Sequence, residues 1–221
     1  MQSHWLNKKN NDNLIIFFAG WSFDFKPFEF LDCGNFDVLM FYDYSSDDYN
    51  CKVMDIIGKY KQYFLIAWSM GVYKAWSLRN ILPDFSKKVA INGTPFPVHD
   101  EFGILNKVFL ITLKNAEMGF KGKFYQNIFN LEDEYERYKQ NPIERTIENR
   151  VQELHILYDD LKCNVKKYQN YYNLAMISRY DKIIPTKNQL NFWNSRTKVI
   201  MLESGHFPYY NFKSWNDIIC N

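Results

Sequence analysis

Nine residues, Phe64-Leu65-Ile66-Ala67-Trp68-Ser69-Met70-Gly71-Val72, leave the chain few ways to fold around them. The run from Phe64 to Ala67 is apolar without a break, which predicts a strand buried on both faces, as in a parallel sheet. Over residues 70–82 the apolar side chains of Val72, Ala75, Trp76 and Leu78 recur at helical spacing. A strand and a helix separated by one serine leave no length for a loop. The chain must turn sharply there and push the Ser69 side chain outward. Such a turn needs small residues two positions before and after the serine, because side chains there collide across it. Ala67 and Gly71 meet that need, although glycine is the usual residue at the first position. A plain surface turn is the alternative to this nucleophile elbow, and the buried strand and the helix around it favour the elbow.

The rest of the chain repeats the strand-then-helix rhythm. Leu14-Ile15-Ile16-Phe17-Phe18-Ala19 predicts a strand closed by Gly20-Trp21-Ser22, and residues 36–42 predict another. Residues 52–61 read as a short amphipathic helix leading into the elbow strand. Residues 88–93 predict a fourth strand, ended by Thr94-Pro95-Phe96-Pro97. Strands are expected again at 173–178 and 198–202, with helices at 186–195 and 214–220. Alternation of this kind implies right-handed crossovers and a mainly parallel sheet covered on both faces. Residues 99–172 break the rhythm with long helical patterns, notably 124–139 and 142–158. The expected organisation is a single domain, with core 14–98 and 173–221 and a helical insertion at 99–172, after the fourth strand. That is where a lid over an active site would lie, a packing layer without a gating role being the alternative.

At 221 residues one well-buried core is affordable. Lys and Arg total 27 against 25 Asp and Glu, a net charge of +2, so no strong field draws nucleic acid or a membrane surface. The four cysteines, Cys33, Cys51, Cys163 and Cys220, are scattered without metal-ligand spacing and read as free thiols of a reducing cytoplasm. Residues 1–13 are polar, and the apolar run after them is too short for a signal-peptide core or a membrane span. A soluble cytoplasmic protein without metal or cofactor is the expectation.

A serine hydroxyl is a poor nucleophile until an imidazole takes its proton, and a carboxylate must hold that imidazole in the right tautomer. In the α/β-hydrolase fold these groups follow in the order Ser, Asp or Glu, His, each beyond the carboxyl end of a strand. Ser69, Asp181 and His206 stand in that order just after predicted strands. Of the four histidines, His4 lies in the polar start, and His99 and His155 belong to the insertion. His206 alone follows a strand of the sheet. Asp159, Asp160 and Asp43 compete with Asp181 for the acid. A helix cap is its structural alternative, since Pro185 can open the next helix. The oxyanion of a tetrahedral intermediate needs two aimed donors. The backbone N–H of Met70, at the start of the elbow helix, and that of Trp21, in the turn opened by Gly20, are the candidates. The Trp21 and Trp68 side chains are placed to wall the site, though core packing explains them equally well.

With these residues placed, the chain resembles the BioG-type pimeloyl-[acyl-carrier protein] methyl ester esterases, a family of small α/β-hydrolases. The resemblance runs from about Leu14 to the C-terminus. It rests on Phe17-Phe18-Ala19-Gly20-Trp21 with Asp24, on Trp68-Ser69-Met70-Gly71-Val72, on Ala90-Ile91-Asn92-Gly93-Thr94-Pro95 with Pro97, and on Gly205-His206-Phe207-Pro208. Ser22 departs from the glycine expected there. The resemblance assigns nucleophile, acid and base to Ser69, Asp181 and His206. It implies hydrolysis of the methyl ester of a pimeloyl chain on acyl carrier protein, on the way to biotin. An extended acyl chain needs an apolar channel, and Phe102, Ile104, Leu105, Phe109, Leu110 and Leu113 begin the insertion. An acidic carrier needs cations near the channel mouth. The segment 101–172 is neutral as a whole, with 11 basic and 11 acidic residues. Locally, Lys107, Lys114, Lys121 and Lys123 face only Glu117, and Lys162, Lys166 and Lys167 form a second cluster; a solvated helix face is the alternative for each. A general carboxylesterase or acyl-thioesterase, and a degenerate hydrolase fold used for binding, are the competing readings.

Overall fold

The computed structural model describes residues 1–46, 55–121, 123–163 and 168–221, without the side chains of Lys121 and Cys163. The predicted elbow strand is β4 (Gln62–Trp68), the middle of seven strands. Around it stand β1 (Gln2–Asn7), β2 (Asn13–Phe18), β3 (Phe36–Tyr42), β5 (Lys87–Ile91), β6 (Leu174–Ser178) and β7 (Lys198–Leu202). Their order across the sheet is β1-β3-β2-β4-β5-β6-β7, with every pair parallel except β1 against β3. This is the α/β-hydrolase fold expected from the sequence.

A continuous apolar strand works here because its two-residue period feeds both faces. Leu14, Ile16 and Phe18 join Leu65 and Ala67 in one core. Ile15 and Phe17 join Ile66 and Trp68 in the other. The first core is closed by α1 (Met70–Ser77) and α7 (Thr186–Trp193), through Val72, Trp76, Phe192 and Trp193. The second is closed by α8 (Trp215–Cys220), through Trp215 and Ile218. Each fully buried Ile, Leu or Phe contributes about 1.5–3 kcal/mol relative to exposure. Strand ends held from both faces in this way form a rigid platform for the turns beyond them.

Several elements differ from the sequence expectation. Residues 2–7, within the polar start to which the sequence assigned no element, form β1. Its side chains are only half buried, and it is held by backbone pairing to the edge of β3, Gln2 facing Tyr42 and Trp5 facing Leu39. The elbow helix ends at Ser77 instead of residue 82. The Ser77 hydroxyl donates to the Lys74 carbonyl and Arg79 Nη1 to that of Trp76, which satisfies the last turn early. Of the expected helix at 52–61, residues 52–54 lie outside the described residues and 55–61 run as turns.

The insertion between β5 and β6 is helical, as expected, but segmented: α2 (Asn106–Lys114), α3 (Ala116–Lys121), α4 (Phe124–Ile128), α5 (Glu132–Gln140) and α6 (Ile147–Cys163). The single helix expected over 124–139 breaks at Phe129, which is extended, and the Glu134 carboxylate takes the N–H groups of Asn130 and Leu131 to start α5. That break has a use. The Ile128 carbonyl, freed from helix bonding, accepts the N–H of Phe207, next to His206. The helix expected from residue 142 starts only at Ile147, because Asp24 Oδ2 captures the Glu144 N–H and Arg145 turns inward to Asp43 and Glu153. Among the described residues no helix is long and apolar enough to cross a membrane.

Candidate active site

Ser69 sits between β4 and α1 at φ 55 and ψ −125, a conformation that a non-glycine residue holds only under constraint. The constraint is visible in its neighbours. A Cβ on Gly71 would lie 2.3 Å from the Phe18 carbonyl oxygen and 2.5 Å from that of Ala19, so only glycine lets α1 pack against the end of β2. The Ser69 N–H is taken by the Ile91 carbonyl at 3.0 Å, which ties the elbow to β5.

His206, in the turn after β7, brings Nε2 to 2.9 Å from Ser69 Oγ and Nδ1 to 2.8 Å from Asp181 Oδ2. Asp181 follows β6. Its Oδ1 accepts the N–H groups of Ile183 and Ile184 at 2.8 and 2.9 Å, and its Oδ2 accepts Gln189 Nε2 at 2.9 Å. A carboxylate held by three donors besides the imidazole cannot swing away, so it fixes the ring's orientation. The other acids considered in the sequence are engaged elsewhere. Asp160 pairs with Lys74, Asp159 with Lys162, and Asp43 with Arg145. The structure therefore brings Ser69, His206 and Asp181 together, and not the competing aspartates.

The chain segment carrying His206 is itself held. The His206 carbonyl accepts Trp68 Nε1 at 2.8 Å and Asn92 Nδ2 at 2.9 Å. Asn92, buried at φ 44 after β5, also donates to Ser178 Oγ at 2.7 Å and accepts the Ser178 N–H at 2.7 Å. Trp68 thus has a polar task beyond the walling expected of it. From the sequence, Asn92 entered only within the motif that carries the resemblance and inside the expected strand 88–93, without a role; Ser178 and Gln189 were not singled out. The strand ends at Ile91, which leaves Asn92 in the left-handed region that favours Asn or Gly.

The turn after β2 packs against the elbow. A Cβ on Gly20 would lie 3.0 Å from the Trp68 ring and 3.1 Å from Ser69 Cβ, so the glycine lets Trp21 approach the serine. Among the described residues, neither the Trp21 N–H nor the Met70 N–H is given to a protein acceptor. Ser22 adopts φ 74, the left-handed region that explains the expectation of glycine there.

Ser69 and His206 open into a cavity of about 200 Å³ lined by Trp21, Trp68, Phe109, Val108, Phe124 and Ile183 among others. The three side chains expected to contact substrate, Trp21, Trp68 and Phe109, all reach it. A second recess of about 290 Å³ shares Trp21, Thr112, Phe124 and Asn127 with the first and has Lys123 at its rim. A larger hollow of about 700 Å³ lies far from the serine, between β1 and residues 55–60. Its charged groups, Lys8, Asp12, Asp55 and Lys59, include no nucleophile–base pair. Lys107, Lys114 and Lys123 are exposed on the insertion, as is Lys162. Lys166 and Lys167 lie outside the described residues. Among the described residues, no group of three or more His, Cys, Asp or Glu is arranged to hold a metal.

Compared with known proteins, residues 1–218 match the family described as pimeloyl-ACP methyl esterase BioG. The crystal structure of BioG from Haemophilus influenzae superposes with a TM-score of 0.88 at 29% identity, over 99% of both chains. An uncharacterized protein of the same organism is 32% identical over 209 residues, 93% of each chain. A malonyl-[acyl-carrier protein] O-methyltransferase of Bacteroides fragilis is 31% identical over 198 residues, which are 86% of this chain but 38% of that protein. An esterase from Exiguobacterium antarcticum, at 18% identity and a TM-score of 0.66 over 95% of this chain and 89% of its own, shares the fold.

Proposed function

The chain belongs to the pimeloyl-ACP methyl esterase BioG family and is a carboxylesterase; from that premise we propose that it hydrolyses the methyl ester of a pimeloyl chain carried by acyl carrier protein, in biotin synthesis, with Ser69, His206 and Asp181 as nucleophile, base and orienting acid. The observation that carries this reading is the unbroken hydrogen-bond chain Ser69–His206–Asp181 at the floor of an apolar cavity.

Ser69 Oγ attacks the ester carbonyl while His206 Nε2 takes its proton. The carbonyl oxygen, now an oxyanion, turns to the N–H groups of Met70 and Trp21. His206 returns the proton to the methoxy oxygen, methanol leaves, and an acyl-enzyme remains on Ser69. Water then gives a proton to His206 and attacks the acyl carbon. Ser69 departs with that proton, and the product carries a free distal carboxylate while its thioester to the carrier stays intact. Asp181, bonded to His206 Nδ1, orients the ring and stabilises the imidazolium. A relative named for O-methylation of a carrier-bound malonyl group supports a methyl ester as substrate, because its chemistry makes what this chemistry removes.

The carrier reading extends to the surface. Lys107, Lys114 and Lys123, exposed near the cavity, together with Lys121, are the cations proposed to meet an acidic carrier. Charge complementarity of this kind acts mainly on the rate of encounter.

The test is hydrolysis of methyl pimeloyl carrier protein beside p-nitrophenyl butyrate. Ser69→Ala should lower kcat by about 10⁴ or more on both while leaving the melting temperature near the parent's. Lys107→Glu, Lys114→Glu, Lys121→Glu and Lys123→Glu combined should lower kcat/KM on the carrier substrate alone, and added salt should reproduce part of that loss. Turnover by Ser69→Ala would remove the mechanism. Activity on the small ester with none on the carrier substrate would favour a general esterase. A folded protein whose Ser69 fails to react with a fluorophosphonate would favour a binding module.

A further inference from the structure

Residues 21–24, the turn that presents the Trp21 N–H beside Ser69, are held by the insertion: Tyr125 on α4 donates its hydroxyl to Ser22 Oγ at 3.2 Å, and residues 144–153 supply the remaining bonds. Trp21 Nε1 donates to the Arg150 carbonyl at 2.8 Å, and the Ser22 N–H donates to Glu153 Oε2 at 3.1 Å. The Phe23 carbonyl accepts Arg145 Nη1 at 3.3 Å, and Asp24 Oδ2 accepts the Glu144 N–H at 2.7 Å. Inside the turn there is one long bond, Phe23 N–H to the Gly20 carbonyl at 3.4 Å. A serine at φ 74 in so short a turn relaxes by rotating its peptides unless its surroundings over-determine it. The insertion supplies that determination.

Glu153 is the node of the brace. Its carboxylate is fully buried on α6, yet packing alone would be served by an apolar residue. Oε1 accepts the N–H of Tyr44, from the turn after β3, at 2.9 Å, while Oε2 takes the Ser22 N–H and pairs with Arg145 Nη1 at 2.8 Å. Burial pushes its pKa up, and Arg145 with the two N–H donors works against that rise. Fixing the Trp21–Ser22 peptide constrains the Trp21 backbone on the side away from Gly20, and so the direction in which the Trp21 N–H points.

We infer that Glu153 is a positioning residue that aims the Trp21 N–H at the oxyanion, so that the insertion completes the oxyanion hole instead of merely covering the substrate. This inference rests on Ser69 being the nucleophile.

The experiment uses Glu153→Gln, which keeps the shape and removes the charge, with p-nitrophenyl butyrate as substrate. Two inhibitors are compared. An alkyl trifluoromethyl ketone adds to Ser69 and places an oxyanion between the two donors, whereas the matching methyl ketone binds without that charge. Loss of a whole oxyanion donor costs about 10²–10³ in kcat, so mis-aiming one should cost roughly tenfold to a hundredfold. The expected result is that loss in kcat with KM within about twofold, a matching loss of affinity for the trifluoromethyl ketone, and unchanged affinity for the methyl ketone. Unchanged kcat, or equal weakening of both inhibitors, would overturn the inference. If Glu153→Gln does not fold, Arg145→Lys is read on the same pair, because it keeps a cation beside Glu153 and loses one arm of the fork; the same split in milder form is expected, and its absence would overturn the inference. A separate measurement of Ser69→Ala keeps the two claims apart. An active Ser69→Ala removes the nucleophile itself, while an inactive one beside a fully active Glu153→Gln removes only the brace.

Discussion

Asn92 lies behind the active turn, touching neither Ser69 Oγ nor the imidazole, and replacing it should nonetheless weaken both stability and turnover. Its side chain gives Nδ2 to Ser178 Oγ, to the Gly205 carbonyl at 3.2 Å and to the His206 carbonyl, and takes the Ser178 N–H on Oδ1. In Asn92→Ala the His206 carbonyl keeps Trp68 Nε1 as a donor. The buried Ser178 N–H is left without a partner, a loss of about 1–3 kcal/mol. Alanine at φ 44 adds roughly 1 kcal/mol of backbone strain that asparagine tolerates better. The sum, roughly 2–4 kcal/mol, corresponds to a fall in Tm of about 5–15 °C for a chain of this length. Asn92→Gly loses the same hydrogen bonds without the strain, so it should be the more stable of the two by about 1 kcal/mol, although glycine ordinarily weakens an ordered segment. Both should lower kcat by about tenfold, since the His206 carbonyl loses one of its two donors and catalysis is steep in sub-ångström placement. Urea unfolding of the three proteins and p-nitrophenyl butyrate kinetics supply the numbers. An Asn92→Ala variant within about 0.5 kcal/mol of the parent, or a glycine variant less stable than the alanine one, would refute the reasoning.

Asp181→Asn should cut kcat by two to four orders of magnitude, because an amide cannot hold the same imidazole tautomer, while Asp159→Asn stays within about twofold; the reverse pattern in steady-state kinetics would move the acid to α6. Acid stability should depend on Asp37. Burial pushes that carboxyl up, but the N–H groups of Lys9 and Asn11 and the Tyr60 hydroxyl outweigh it and hold it below the ordinary range. A depressed pKa contributes stability that is present above the ordinary carboxylate value and lost as pH falls through the folded one. Asp37→Asn should therefore be less stable near pH 7 and lose less between about pH 5 and about pH 3, read as urea midpoints; equal slopes would count against it.

What the sequence made legible follows from locality. The elbow, the β2 turn, Asp181 and His206 each follow an apolar run within a few residues, so strand end and polar residue are close in the chain. Their convergence then needs only the rule that catalytic groups lie beyond the carboxyl ends of parallel strands. The edge strand β1 gave no such signal, because its residues are half exposed on both faces and its pairing is a property of β3's backbone. Asn92 with Ser178, and Ser22 with Glu153, were out of reach for another reason. Their partners lie 86 and 131 residues away, and no periodicity encodes a hydrogen bond across that distance. The break at Phe129 belongs with them, since it is completed by Phe207 from the last turn.

The insertion misleads further because it carries charge inward. The Arg145 side chain, just before α6, and Arg150 and Glu153 on α6 are buried, although the helical pattern expected over 142–158 assigns such residues to the solvent face. The equal tally of basic and acidic residues over 101–172 is therefore no measure of what a partner meets. The charge is also segregated along the chain. Residues 106–128 carry Lys107, Lys114, Lys121 and Lys123 against Glu117, whereas α5 opens with Glu132, Asp133, Glu134 and Glu136. Among the described residues, the basic segment supplies Val108, Phe109, Thr112, Phe124 and Asn127 to the cavity over Ser69, and α5 supplies none. A neutral insertion thus carries basic residues in the segment that lines the cavity and much of its acidic charge in a helix that does not. If an acidic carrier docks as proposed, the basic segment and not the net charge of the insertion should steer its encounter, so the Lys107, Lys114, Lys121 and Lys123 reversals should slow it more than reversals on α5.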